Sequence, residues 1–318
     1  MNNINIDDII KNSSKILITS HINPDGDTLG TMCALHGAIA LNFKKHTDMF
    51  IASSIPYAYR DMPFLEKAKK DYNPSLVYDL VIAVDVAAKD RMGEATILFD
   101  KAKTTINIDH HKTNPLYGDY NLVIGGAASA GVVLYNYFKA NNWKINKEVA
   151  ECLYISILTD TGGFKYENTS ADTLTAAAEL IDQGVNPNKI FQAIYETKTK
   201  DFIMFQANAL AKAQFEHNNK IAYTTVYKKD LEQYNSTTDF TEGLVERLRV
   251  IDEVEVSFLA KEIDSKSCKI SMRSKNIDVA EICSQFNGGG HTYAAGCVIK
   301  SPINTAIKKL INIIEEKL

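Results

Sequence analysis

Ser20-His21-Ile22-Asn23-Pro24-Asp25-Gly26-Asp27-Thr28-Leu29-Gly30 is the stretch that decides how this chain folds. The apolar run Ile16-Leu17-Ile18 before it reads as a buried strand, and Leu29 to Leu41 after it reads as a helix. A histidine and two aspartates therefore stand on a strand-to-helix loop, the end of an α/β sheet where ligands usually bind. Pro24 and Gly26 alternate with Asp25 and Asp27, turning the backbone while both carboxylates face one centre. Two acids this close repel unless a cation lies between them. Taken alone, an Asx-rich turn with solvated side chains accounts for the loop equally well.

Further strands are expected at Met49-Phe50-Ile51, at Leu80 to Val84 and at Thr104 to Ile108. The last two run directly into Asp85 and into Asp109-His110-His111. Their alternation with helical segments predicts a mainly parallel sheet. Helices are expected over 6–14, over 128–141 with Ser129 as N-cap, over 146–159, and from Ser170 to Gly184. The 146–159 helix delivers Asp160, after which Gly162 and Gly163 stop it.

Asn186-Pro187 and the polar segment Glu196 to Asp201 mark a change of character, followed by a helix ending near Phe215. Beyond it, strands are expected at 221–227, 254–260, 269–272 and 297–299, with helices at 240–249, 279–286 and from Thr305. The glycine run Gly288-Gly289-Gly290-His291 reads as a loop. The expected fold is α/β: a mainly parallel-sheet domain over 1–190, a helical linker over 191–215 and a smaller α/β domain over 216–318.

At 318 residues, two domains is the prior. Net charge is −4, and residues 1–190 hold all of it, with 18 Lys and Arg against 22 Asp and Glu. The negative excess thus lies with the opening motif, as expected of a unit that holds divalent cations. Nothing is basic enough for a long nucleic-acid footprint. Cys33, Cys152, Cys268, Cys283 and Cys297 show no C-x-x-C spacing and sit in mostly apolar contexts. They read as buried free thiols of a reducing compartment. Met1 to Asp8 lacks the basic and apolar regions of a signal peptide, and no apolar run approaches the ~20 residues of a membrane span. A cytoplasmic protein is expected.

Asp25 and Asp27 follow the first strand, Asp85 and His110 end later strands, Asp160 ends a helix, and His21 stands beside them. In a parallel sheet all strand C-termini share one edge, so these residues can converge. A lone Asp at a strand end is commonly a cap or turn former; four acids and two histidines on one edge are not so explained. Four carboxylates match the charge of two divalent ions. Oxygen donors with a minority of imidazole point to Mn²⁺ or Mg²⁺ rather than thiol-bound zinc. Two such ions at ~3.5–4 Å activate a water and steady a phosphoryl transition state.

With Val84-Asp85, Asp109-His110-His111 and Thr159-Asp160, the H-x-N-P-D-G-D motif resembles the DHH phosphoesterase superfamily, all four motifs standing in order. Ser271-Met272-Arg273-Ser274 and Gly288 to Gly296 are similar to its DHH-associated substrate domain. Length and domain order are most similar to the bacterial nanoRNases, which hydrolyse very short oligonucleotides and often 3′-phosphoadenosine 5′-phosphate (pAp). The resemblance implies an active site in the cleft between the two domains. It implies His21, Asp25 and Asp85 on one Mn²⁺, and Asp27, Asp85, His110 and Asp160 on a second, with Mg²⁺ or another divalent ion as substitutes. His111 would contact the scissile phosphate or protonate the leaving oxygen; Asp109 and Asn23 would orient the ligands.

In the second domain, Gly288, Gly289, Gly290 and His291 would cradle a phosphate or lie against a base, while Ser271 and Arg273 would take a terminal phosphate. The plain alternatives are a tight turn for the glycines and a surface ion pair for Arg273. Expected substrates are short RNA oligonucleotides of 2–5 nucleotides, linear dinucleotides included, and mononucleotide bisphosphates; long nucleic acid and membranes are not expected, and a homodimer is left open. A hydrolase specialised for cyclic-dinucleotide turnover and a non-catalytic nucleotide sensor are the rival readings. Two departures stand out: Ser129-Ala130 where the family often has Ser-Thr, and Thr292-Tyr293 where a basic residue is common. Arg91 also fits the family pattern and is expected in a structural ion pair.

Overall fold

The computed structural model describes residues 6–235 and 238–318. Residues 1–5, part of the N-terminal stretch weighed as a signal peptide, lie outside the described residues. The chain divides into two compact units, one up to Thr197 and one from Lys198. Of the span expected as a linker, residues up to Thr197 fall in the first unit and the helix after it falls in the second. Phe205 and Ala209 of that helix are buried against Val226, Leu244 and Leu259, and this apolar contact fixes its allegiance.

The first unit opens with α1 (Ile6–Asn12), β1 (Ile16–Thr19) and α2 (Gly26–Phe43). There follow β2 (Asp48–Phe50), β3 (Ala68–Lys69), β4 (Leu80–Val84), α3 (Ala95–Lys101), β5 (Thr104–Asp109) and β6 (Tyr120–Val123). Four helices complete it: α4 (Ala130–Ala140), α5 (Lys147–Asp160), α6 (Ala171–Asp182) and α7 (Pro187–Phe191). The strands form one parallel sheet in the order β3-β2-β1-β4-β5-β6. Because β4 is apolar on both faces, helices must cover both. Ile16, Ile18, Ile82, Val84, Ile106 and Ile108 pack into the core with α2, α4 and α5. Leu17, Val81 and Ala83 meet Leu98 and Phe99 of α3 on the other side.

The strand order reverses between β1 and β4, and in a sheet of this kind ligands bind outside the strand C-termini at that point. Ser20 and His21 follow β1, Asp85 follows β4, and Asp109 and His110 close β5. One expectation needs correcting here. Helix α2 begins at Gly26, not Leu29, because the Asp25 side chain accepts the Thr28 N–H and caps it. Asp27 therefore stands in the first helical turn, and its direction is set by the helix. Asn23 takes the left-handed conformation at φ 58° and is exposed where the chain turns. Arg91 is exposed and makes no ion pair among the described residues; its carbonyl accepts the Ile22 N–H at 2.8 Å.

The second unit contains α8 (Lys200–Ala211), β7 (Gln214–Glu216), β8 (Ile221–Val226), α9 (Lys228–Gln233), α10 (Leu244–Arg249) and β9 (Val256–Asp264). It continues through β10 (Ser267–Ser274), α11 (Val279–Ser284), β11 (Gly289–His291), β12 (Ala294–Ile299) and α12 (Ile303–Glu315). Its sheet runs β11-β12-β10-β9-β8-β7, antiparallel except at β8–β9. The glycine run expected as a loop is largely this edge strand, β11. A Cβ on Gly288 would lie 2.3 Å from the Gly296 carbonyl oxygen, and one on Gly290 would lie 2.4 Å from that of Ala294. Close approach of β12 is what requires glycine at both.

Helix contacts in the first unit are equally tight. A Cβ on Gly30 would stand 2.5 Å from the Cys152 carbonyl oxygen and 2.9 Å from the Ser156 nitrogen, both backbone atoms of α5. Gly30→Ala is expected to destabilise the protein by about 2 kcal/mol, since overpacking outweighs the ~1 kcal/mol that alanine usually gains in a helix. The first thermal transition should fall by about 5 °C; an unchanged or raised midpoint contradicts this packing.

Candidate metal centre

Two triads of potential ligands meet at the sheet edge, each with donor atoms within 4.8 Å of one another: His21, Asp25 and Asp85, and Asp27, His110 and Asp160. His110 Nε2 lies 3.5 Å from Asp27 Oδ2, 3.6 Å from Asp85 Oδ1 and 3.6 Å from Asp160 Oδ2. Asp85 thus faces both triads, its Oδ2 standing 3.5 Å from His21 Nε2. All six side chains that the sequence pointed to are brought together.

Both imidazoles are held with Nε2 facing inward. His21 Nδ1 is 2.7 Å from the Ile22 carbonyl and His110 Nδ1 is 2.9 Å from that of Ala127. A carbonyl only accepts, so Nδ1 carries the proton in each and the neutral ring presents a lone pair at Nε2. Thr28 completes the first triad, its hydroxyl lying 2.7 Å from His21 Nε2, 2.7 Å from Asp85 Oδ2 and 3.1 Å from Asp25 Oδ1.

Asp27, 1% exposed, is held by neutral donors. The α4 N-terminus donates through Ala130 N–H at 2.9 Å and Gly131 N–H at 3.2 Å, and the Thr31 and Ser156 hydroxyls donate to Oδ1. Ser129 caps α4 by accepting the Val132 N–H, and only backbone amides at Ala130 and Gly131 reach Asp27, so alanine at 130 costs this contact nothing. Gly26 brings α2 against the end of α5: a Cβ there would lie 2.4 Å from Thr159 Oγ1. That approach sets Asp160 beside Asp27.

Charge is left unbalanced. Burial, with the like charges of Asp85 and Asp160, holds the Asp27 carboxyl well above the usual carboxylate range. Burial raises Asp160 to about 6, against the opposing pull of His110. Burial draws His21 down, but the Asp85 hydrogen bond and the Ile22 carbonyl outweigh it and leave the imidazole raised. Asp85 Oδ1 is buried with no hydrogen-bond partner among the described residues. An orphaned buried carboxylate oxygen is costly. Two donors each about 2.1 Å from a shared cation lie about 3–4 Å apart, and these atoms have that spacing. The donor set fits divalent cations.

Beside the triads, His111 Nδ1 is 2.8 Å from Asp109 Oδ1, and this bond above all raises the imidazole. Asp109, fully buried, loses from burial but is held low by His111 and by Asn114. The His111 side chain is 36% exposed, so its Nε2 edge can meet a ligand from solvent. Thr28, Ser156, the α4 amides and Asn114 were not singled out from the sequence. The faint signals were Thr28 three residues after Asp25, as in a capped helix, and Ser156 one helical turn before Asp160.

The second unit holds the remaining sequence-predicted residues. Ser271, Gly296 and Gly289 form one row across β10, β12 and β11, and Arg273, Ala294 and His291 form the next. Arg273 and His291 therefore share a face of the sheet. Arg273 Nε is 2.9 Å from Glu246 Oε1, so its guanidinium has an intramolecular carboxylate partner rather than an open fork. Gly289 faces open space.

Residues 15–157 match the model of the DHH family, N-terminal domain, and residues 218–318 match that of the DHHA1 domain. Curated relatives include the bifunctional oligoribonuclease and PAP phosphatase NrnA of Bacillus subtilis, 28% identical over 90% of this chain and 90% of that protein. The protein of the same name in Mycoplasma pneumoniae is 29% identical over 92% of this chain and 90% of its own length. The crystal structure of an exopolyphosphatase-related protein from Bacteroides fragilis shares the fold, with a TM-score of 0.90, 23% identity, and coverage of 98% of this chain and 94% of that one.

The raised carboxyls have a consequence for metal affinity. The protons on Asp160 and Asp27 favour the folded, metal-free state at low pH, and that contribution is lost as pH rises through about 6 for Asp160. A cation must displace those protons. Mn²⁺ should bind at least about tenfold more weakly at pH 5 than at pH 7, with proton release seen as a dependence of the calorimetric heat on buffer ionisation enthalpy. Equal affinity at the two pH values contradicts this electrostatic account.

Proposed function

The chain belongs to the DHH phosphoesterases, with a DHH N-terminal domain followed by a DHHA1 domain, and from that premise we propose that this hydrolase uses two divalent cations to cleave very short oligoribonucleotides. The substrates of this reading are RNA fragments of 2–5 nucleotides, pApA and pGpG included, cut to mononucleotides, together with pAp cut to AMP. The observation that carries it is the pair of ligand triads facing one buried carboxylate, Asp85, whose Oδ1 has no partner among the described residues. The names of the Bacillus and Mycoplasma relatives, oligoribonuclease and PAP phosphatase, support the substrate class.

His21, Asp25 and Asp85 would hold one ion; Asp27, Asp85, His110 and Asp160 would hold the other. Manganese, or magnesium in its place, supplies a water deprotonated near neutral pH and positive charge at the phosphorus. The side chains then divide the remaining work. Asp85 ties the two sites together, so that the nucleophile and the phosphate share one frame. His111 has its Nδ1 proton fixed on Asp109 and an imidazole that stays charged to higher pH. That prepares Nε2 to contact the scissile phosphate and give its proton to the leaving oxygen.

In the DHHA1 unit, Arg273, Ser271 and His291 contact the rest of the substrate in this reading, and the backbone of Gly288 to Gly290 lies against a base or phosphate. Arg273 must exchange Glu246 for a phosphate, a swap of one anionic partner for another. The five cysteines are free and buried, as a reducing compartment leaves them, which supports placing the protein in the cytoplasm.

The test is a substrate panel with Mn²⁺: a 5′-phosphorylated dinucleotide, a 24-nucleotide RNA, pAp and pyrophosphate. The dinucleotide and pAp should be turned over and the long RNA should be a poor substrate; turnover of pyrophosphate alone, or of none, defeats the reading. Asp85→Ala should abolish turnover, and Arg273→Ala should raise KM for the dinucleotide about tenfold with kcat nearly unchanged.

A further inference from the structure

Beneath the centre lies a second layer of polar groups that do not face substrate. Asn107 is fully buried in the middle of β5, where its neighbour on β4 is the small Ala83. Its Nδ2 donates to the Tyr117 hydroxyl at 2.9 Å, and that hydroxyl donates to the Val86 carbonyl at 3.0 Å. Asn114 Nδ2 meets Asn107 Oδ1 at 2.7 Å, Asp109 Oδ2 at 2.5 Å and the same Val86 carbonyl at 3.2 Å. That nitrogen has two hydrogens, which the short contacts to Asp109 and Asn107 take, so the bonds run as a chain from Asp109 through Asn114, Asn107 and the Tyr117 hydroxyl to the Val86 carbonyl.

Their directions are fixed. The Leu116 N–H can only donate, and it points at Asn114 Oδ1 at 2.8 Å, so the amide nitrogen must face Asp109. Asn107 must then accept from Asn114 and donate to Tyr117, leaving the phenol proton for Val86. Burial and the nearby Asp109 charge keep that phenol protonated, so its bond to Val86 does not change with pH in the working range.

Both ends of the chain of bonds reach groups the chemistry needs. Val86 follows Asp85, which holds a left-handed backbone at φ 55° that a residue with a side chain adopts only under constraint. The Asp85 N–H is bonded to the Ile108 carbonyl at 2.9 Å, and the Tyr117 hydroxyl holds the Val86 carbonyl on the other side. At its far end, Asn114 holds the oxygen of Asp109 that His111 does not use.

We propose that Asn107, Asn114 and Tyr117 are positioning residues, a single hydrogen-bonded chain that fixes the Asp85 backbone and the Asp109–His111 pair relative to each other. This rests on the metal-dependent phosphoesterase reading. It assigns these three side chains an effect on metal binding and on the chemical step, and none on substrate affinity.

The test compares the wild type with Tyr117→Phe, which keeps the ring that packs on Phe99 and removes only the hydroxyl, and with Asn114→Ala. Tyr78→Phe is the matched control: it removes a buried phenol of the same apolar cluster whose bond runs to Asp48, away from the centre. Mn²⁺ binding to the metal-free proteins is measured by titration calorimetry, and kcat and KM on the dinucleotide are measured alongside.

Tyr117→Phe should weaken Mn²⁺ binding several-fold and Asn114→Ala about tenfold or more, with kcat falling in parallel, KM within about twofold, and Tyr78→Phe like wild type. If Asn114→Ala does not fold, Tyr117→Phe decides alone. Wild-type Mn²⁺ affinity and kcat in Tyr117→Phe, or equal losses in Tyr78→Phe, overturn the proposal while leaving the reading of the centre intact. A wild-type protein that binds no Mn²⁺ overturns both.

Discussion

Four carboxylates that repel one another are held at one sheet edge, and much of the first unit is arranged to keep them there. Two unit charges about 4 Å apart near a protein surface oppose each other by about 4 kcal/mol, so Asp25, Asp27, Asp85 and Asp160 would separate if the backbone allowed it. It does not. Asp25 is tied down as the cap of α2, Asp27 rides in the first turn of the same helix, Asp85 is locked at the end of β4, and Asp160 ends α5. The donors around them are amides and hydroxyls, which orient a carboxylate without cancelling its charge. Protons are drawn onto Asp27 and Asp160 instead, and divalent cations are the natural replacement for them.

The glycines follow from that constraint. Gly26 and Gly30 let α2 lie against α5 closely enough for Asp27 and Asp160 to meet, and Gly131 does the same for α4: a Cβ there would fall 2.0 Å from Ser156 Oγ. Ser156 sits at the junction of the three helices and gives its hydroxyl proton to Asp27. The second unit solves a different problem. Its glycines make room for one strand against another, and its polar residues line a face of a mixed sheet rather than a loop.

Much of this was legible in the residues. Strand β4 announces itself as an unbroken apolar run ending at Asp85, β1 and β5 as shorter apolar and β-branched stretches, and the site is built from the His and Asp residues that follow them. The start of α2 was misplaced because Asp25 and Asp27 read as loop formers until the cap is seen. Strands β3, β6 and β7 are two to four residues long and not apolar enough to register as a pattern. The Gly288 to Gly290 run read as a loop because nothing local reveals that β12 pairs with it. Glu246 as the partner of Arg273, and Ser156 as that of Asp27, depend on contacts across 27 and 129 positions and leave no trace in a local window. Asn114 is the opposite case: three residues beyond His111, it was in view, and only the burial of Asn107 and the turn of the chain at Asp85 give it meaning.

Anomalous diffraction from crystals grown with manganese tests the central claim most directly. The account predicts two peaks about 3.5–4 Å apart, with Asp85 touching both, His21 and Asp25 on one, and Asp27, His110 and Asp160 on the other. A single peak away from Asp85, or six side chains gathered around no peak at all, would contradict it.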